Sequence, residues 1–94
     1  MKDTHVAVYR ATIVINQRGV HARAAAFIAR VAGQFEAEVT VATKAGQVSA
    51  LSIMGMLMLG ASTGTEIQFS ARGSDAEDAV DALVHLFENG FEEE

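Results

Sequence analysis

The chain has 94 residues, 50% of them hydrophobic and 20% charged, which suits one globular core and is too apolar for a disordered tail. Seven Lys and Arg against twelve Asp and Glu leave a formal charge of −5, so non-specific nucleic-acid binding, which needs clustered cations on phosphates, is excluded. Cysteine is absent, so the fold has neither disulfides nor thiolate metal sites and must be stabilised by its core.

Residues 1–10, MKDTHVAVYR, contain no apolar run of signal-peptide length and are interrupted by Lys2, Asp3 and Arg10, so the expected compartment is the cytoplasm. Ala45 to Thr65 carries no formal charge, but Gly46, Gln47, Ser49, Ser52, Gly55, Gly60, Ser62 and Gly64 make it a poor membrane span. No membrane insertion is expected; the segment is buried or faces a partner. Glu92-Glu93-Glu94 reads as a solvated tail. With no internal repeat, linker or proline, residues 1–94 are expected to form one domain and a monomer.

Val8 to Ile15 is rich in β-branched residues and alternates Ala11, Ile13 and Ile15 against Arg10, Thr12 and Val14, which predicts a strand with the first set buried. Asn16-Gln17-Arg18-Gly19 breaks it. Ala22 to Ala32 predicts a helix, with Ala24, Phe27, Ile28 and Val31 on one face, Gly33 at its stop and Phe35 packing back on the last turn. Glu36 to Thr43 alternates with Ala37, Val39 and Val41 inward, and a turn at Lys44-Ala45-Gly46 leads to a short strand, Gln47 to Ala50, forming a hairpin. Ser52 to Leu59 fits a buried strand or a short helix by periodicity; Ser52 as N-cap, Gly60 as stop and the Leu and Met content favour helix. Thr65 to Ala71 is a fourth strand with Ile67, Phe69 and Ala71 inward. Ser74-Asp75-Ala76-Glu77 has capping-box spacing before a helix whose core face is Ala79, Val80, Leu83, Leu86 and Phe87. The order β-α-β-β-α-β-α, with one apolar face per helix, predicts an open-faced α/β sandwich (α+β type): one sheet with all helices on one side.

His21 falls at the start of the first helix, in Gly19-Val20-His21-Ala22-Arg23, where unpaired backbone N–H groups attract anions. A neutral imidazole at that place would be a nucleophile. A phosphoryl group accepted there would meet those N–H groups and a guanidinium two residues away. On spacing alone, the other reading is that His21 only caps the helix and Arg23 is only a solvated charge.

N-Q-R-G-V-H-A-R-A-A at Asn16 to Ala25, together with S-I-M-G-M-L-M-L-G at Ser52 to Gly60, resembles the two signature segments of the HPr family, the histidine-containing phosphocarriers of the bacterial phosphotransferase system. The likeness runs from Tyr9 to about Phe91 and includes F-E-A-E-V at Phe35 to Val39 and A-R-G-S-D at Ala71 to Asp75. The resemblance implies a four-stranded antiparallel sheet with three helices on one face, and a phosphoryl relay without cofactors. Enzyme I, charged from phosphoenolpyruvate, would phosphorylate His21 on Nδ1 beside Arg23, and the group would pass to IIA-type proteins. The protein would then be a carrier and not an enzyme. The serine matching Ser52 is a target of HPr kinase/phosphorylase in some lineages, which implies a regulatory site; otherwise Ser52 is an N-cap. Ala24 stands where the family usually has proline, and Leu51 where lysine is frequent. These departures, with no sugar-specific feature, keep open a regulatory docking module of a nitrogen-type relay.

The family fold would cluster Val20, Ile53, Met54 and Leu57 around His21 as a docking surface, in which Met adapts to several partners; the alternative is ordinary core. His5 and His85 are expected at the surface. The three histidines lie in unrelated segments, so no metal site is expected. No second general acid or base accompanies His21 at recognisable spacing, which disfavours a stand-alone hydrolase.

Overall fold

The computed structural model describes residues 6–92. Along the chain lie β1 (Val8–Ile13), α1 (Ala22–Ala32), β2 (Glu38–Thr43), β3 (Gly46–Ser49), α2 (Ile53–Leu59), β4 (Glu66–Arg72), α3 (Ala76–Glu88) and a 3-10 turn, Gly90–Glu92. The strands form one antiparallel sheet in the order β1-β4-β2-β3, and the three helices cover one of its faces. His5, expected at the surface, and the last two glutamates of the tail lie outside the described residues.

β4 sits inside the sheet because its inward residues Ile67, Phe69 and Ala71 are almost fully buried and it has a partner on each side. Residues directly opposite one another in an antiparallel ladder share a face. Val39 pairs with Ala71 and Val41 with Phe69, so β2 buries the predicted side. On the other flank, Val8 pairs with Ala71, Arg10 with Phe69 and Thr12 with Ile67. The helix-facing side of β1 is therefore Val8, Arg10 and Thr12, the reverse of the face expected from alternation; Ile13 and Ile15 stay half-exposed on the open face. Arg10 can face inward because β1 is an edge strand: its guanidinium reaches Glu77 at 3.1 Å and Asp81 at 3.5 Å on α3, leaving its apolar stem to lie over the core. β1 also ends at Ile13, two residues earlier than expected, although Val14 N–H still donates to Thr65 O at 3.0 Å.

α1 has the predicted ends, but its fully buried residues are Ala24, Ala25, Ile28 and Ala32, while Phe27 and Val31 pack only partly. α2 is a helix, as its caps suggested. Ser52 Oγ accepts from Gly55 N–H at 3.0 Å, and Gly60 closes the helix in the left-handed conformation. The capping box before α3 does not form. Asp75 is the N-cap, and its carboxylate accepts instead from Glu36 N–H and Ala37 N–H, each at 2.9 Å, tying α3 to the segment that enters β2. The helix starts at Ala76, so Ser74 lies one residue before the N-cap and its spacing to Glu77 is out of register for the box. Below the helices Phe69 and Phe87 meet edge to face at 5.5 Å, and Phe87 and Phe91 at 4.8 Å.

Candidate functional site

The segment between β1 and α1 is held by contacts distant in sequence. Asn16 Nδ2 donates to Gly19 O at 2.8 Å across the turn, and Thr63 Oγ1 donates to Asn16 O at 2.7 Å. Val20 N–H donates to Ala61 O at 3.0 Å. Gly19 has φ +70°, and a Cβ there would come within 2.6 Å of Ala61 O, so glycine is required both by conformation and by space. The loop after α2 thus clamps the loop before α1. Asn16, Gly19 and Thr63 are site-supporting residues that sequence reading did not single out; a Gly after a polar run was the available signal for Gly19, and the Thr63 contact spans 47 residues.

The clamp delivers His21 to the N-cap of α1 with extended backbone, φ −90° and ψ −178°, and its carbonyl accepts the first helical bond, from Ala25 N–H at 2.8 Å. The imidazole turns back over the helix start, so that Nδ1 accepts from Arg23 N–H at 3.2 Å. Nδ1 therefore carries its lone pair and faces the first-turn N–H groups. The ring is partly exposed, and the Arg23 side chain is exposed, with no carboxylate among the described residues paired to it. The arrangement suits an anion attached at Nδ1: such a group would replace the lone pair with oxygens that accept from the same helix N-terminus, and Arg23 lies two residues on. Ala24, fully buried, completes the first turn. No group of three His, Asp or Glu able to hold a metal ion occurs among the described residues. His85 is exposed on α3.

The residues expected to cluster around His21 are arranged differently. Val20 is 9% exposed and belongs to the core beneath the loop, so it supports His21 and has little surface to present to a partner. The two helices run antiparallel: α2 ends beside the His21 loop, through the Val20–Ala61 bond, while Leu51 approaches the far end of α1, where a Cβ on Gly33 would lie 3.8 Å from its Cδ2. Ser52, Ile53 and Met54 therefore lie away from His21 by about the length of α1, on the order of 15 Å. A standard interface covers about 800 Å² per partner, roughly 30 Å across, so both ends fit under one partner. Ile53 and Met54 are exposed, Leu57 is partly buried against the core, and Leu51 and Met58, not expected in the surface, are exposed as well. Gly55 is required at this end, since a Cβ there would sit 2.8 Å from Ser52 Oγ and 3.0 Å from Val48 Cβ.

A family model described as "PTS HPr component phosphorylation site" matches residues 8–89, which include this loop, its histidine and both helices. The chain belongs to the HPr family. The phosphocarrier protein HPr of Xylella fastidiosa (strain 9a5c) is 44% identical over 82 residues, covering 87% of this chain and 92% of that protein. The phosphocarrier protein NPr of Shewanella violacea is 38% identical over 84 residues, covering 89% and 92%. Among solved structures, HPr-C-His from Thermoanaerobacter tengcongensis superposes with a TM-score of 0.87 at 39% identity, covering 93% of this chain and 98% of that one. The four-stranded open sheet with three helices is the HPr fold, and the protein is a phosphocarrier of the phosphotransferase system. No helix among the described residues is long and apolar enough to cross a membrane.

Proposed function

We propose that His21 accepts the phosphoryl group on Nδ1 from Enzyme I, charged by phosphoenolpyruvate, and passes it to IIA-type proteins. The observation that carries this is the 3.2 Å bond from Arg23 N–H to Nδ1, which aims the ring's lone pair along the helix N-terminus. In the transfer the Nδ1 lone pair attacks phosphorus, the bond from phosphorus to the donor breaks, and the phosphoryl oxygens gain the first-turn N–H groups as donors. Arg23 offsets the added charge from an exposed position, so it can follow the group as partners exchange. The protein acts as a carrier and not as an enzyme: it holds the phosphoryl group covalently and is consumed and restored by its two partners. It works as one domain, residues 1–94, as a monomer in the cytoplasm, with no cofactor.

Docking uses the exposed apolar side of α2, with Ile53 and Met54 at one end and Leu57 partly contributing, while Val20 holds the loop from below. Ser52 is the regulatory residue, a target of an HPr kinase/phosphorylase. A phosphate there adds about −1.5 to −2 charges, which the docking face would have to desolvate. The NPr relative favours a second reading for the downstream step, a nitrogen-type regulatory relay in which protein binding matters more than sugar transport. Incubation with Enzyme I and phosphoenolpyruvate, followed by mass-spectrometric mapping under alkaline conditions, tests the first step. Phosphate on His21 is expected; phosphate elsewhere, or none, overturns it. Adding sugar-type and nitrogen-type IIA proteins then shows which one discharges the carrier.

A further inference from the structure

The outer side of α2 carries its sulfur in an unusual place. Leu51 stands just before the N-cap Ser52, and Met54 and Met58, four residues apart, share one stripe of the helix with side chains spaced by about one turn. The three are 61%, 67% and 79% exposed, whereas Met56, between the two methionines, is 1% exposed in the core. Exposed methionines at adjacent turns cost burial that a leucine in the core would supply, and cysteine is absent from the chain, so thioethers are its only oxidisable sulfur.

We propose that Met54 and Met58 form an oxidation-sensitive modification site, which peroxide converts to sulfoxides with loss of docking to the phosphoryl donor. In the step, a sulfur lone pair attacks one peroxide oxygen, the O–O bond breaks and an S–O bond forms. The thioether is oxidised by two electrons, and hydrogen peroxide is reduced to water. Susceptibility follows exposure, so Met56 is spared and the core stays intact. Each sulfoxide places a polar, chiral group where a partner would bury an apolar one. The antiparallel packing of the helices sets Met58 toward the His21 end and Met54 toward Ser52, so the stripe runs the length of the face used in docking. The effect on transfer rests on the proposed role of His21; the selectivity of oxidation does not.

The test treats the protein with hydrogen peroxide, maps added oxygen by peptide mass spectrometry, and measures KM and kcat for phosphorylation by Enzyme I. The double variant Met54→Leu, Met58→Leu is treated in parallel, and each protein is compared with its own untreated form. Expected are oxygen on Met54 and Met58 ahead of Met56, an unchanged melting temperature, and a KM for the oxidised wild type raised about tenfold, while treatment leaves the double variant's KM where it was. Methionine sulfoxide reductase should restore the wild type. Oxidation of Met56 at the same rate overturns the site, and an oxidised wild type with its untreated KM, or a double variant equally impaired by treatment, overturns the effect on docking. If untreated protein accepts no phosphate at all, it is the role of His21 that fails, and the mapping still decides the selectivity.

Discussion

Replacing Gly19 by alanine tests the clamp that presents His21. Two costs add at that position. The first is conformational: φ is +70°, and an L-residue in the left-handed region costs about 1–2 kcal/mol. The second is steric, because the new Cβ would lie 2.6 Å from Ala61 O and 3.0 Å from Ser62 Cα, both backbone atoms that cannot rotate away. Forced repacking of this kind costs about 1–3 kcal/mol, and it pushes apart the strands of chain joined by the Val20–Ala61 hydrogen bond. Gly60→Ala separates the two terms, since Gly60 has φ +64° but nothing within 4 Å of its would-be Cβ. For a chain of this size, with a total stability of about 5–14 kcal/mol, the Gly19 variant should melt on the order of 5–20 °C below the Gly60 variant by circular dichroism. At a temperature where both are folded, it should also accept phosphate from Enzyme I more slowly. Equal melting temperatures for the two variants would refute the steric half of the reasoning, and wild-type transfer by the Gly19 variant would refute the link between the clamp and His21.

Other substitutions probe single contacts. His21→Ala should leave the fold intact at a cost of about 0.5–1.5 kcal/mol for the lost Arg23 N–H bond, while acid-labile phosphate acceptance disappears. Arg23→Ala should change stability by less than about 0.5 kcal/mol, as an exposed side chain, yet slow transfer; equal rates would remove Arg23 from the mechanism. Asp75→Ala leaves the part-buried Ala37 N–H unpaired, while water can replace the partner of the exposed Glu36 N–H, and should cost about 1–3 kcal/mol in urea unfolding, whereas Ser74→Ala, without a cap to lose, should be nearly neutral. Ser52→Ala should cost about 1 kcal/mol through loss of its cap on Gly55. Ser52→Asp should keep that cap but raise the KM with Enzyme I at an unchanged circular dichroism spectrum, and an unchanged KM would set Ser52 outside the docking face.

Much of this fold was legible because its signals are local. The ends of α1 and α2 follow from caps within the helix itself, and the alternation in β2 and β4 names their buried sides correctly. Alternation misled in β1, where both faces carry β-branched residues and the ladder register with β4, which pairs Arg10 with Phe69, decides. The Ser74 capping box misled by one residue, since the helix takes Asp75 as its N-cap and that carboxylate serves two backbone donors nearly forty residues away. In the site, the position of His21 at the start of α1 could be read from sequence, but its contact is with the Arg23 backbone N–H, whereas the sequence had suggested a role only for the Arg23 guanidinium. The clamp through Ala61 and Thr63 could not be read, since it depends on how the loop after α2 returns to Asn16. The burial of Val20 and the distance of Ser52 from His21 also depend on helix packing, which spacing in either motif leaves open.

The proposed phosphocarrier cycle depends on the phosphoryl group sitting on Nδ1 of His21, at the start of α1. Protein labelled with nitrogen-15 in histidine, phosphorylated by Enzyme I and phosphoenolpyruvate and held at alkaline pH, allows phosphorus–nitrogen coupling to be read by NMR. Coupling to Nδ1 of His21 is expected, with the amide resonance of Arg23 shifted as its N–H changes partner from nitrogen to oxygen. Coupling to Nε2, or to the ring of His85, with an unmoved Arg23 amide would contradict it.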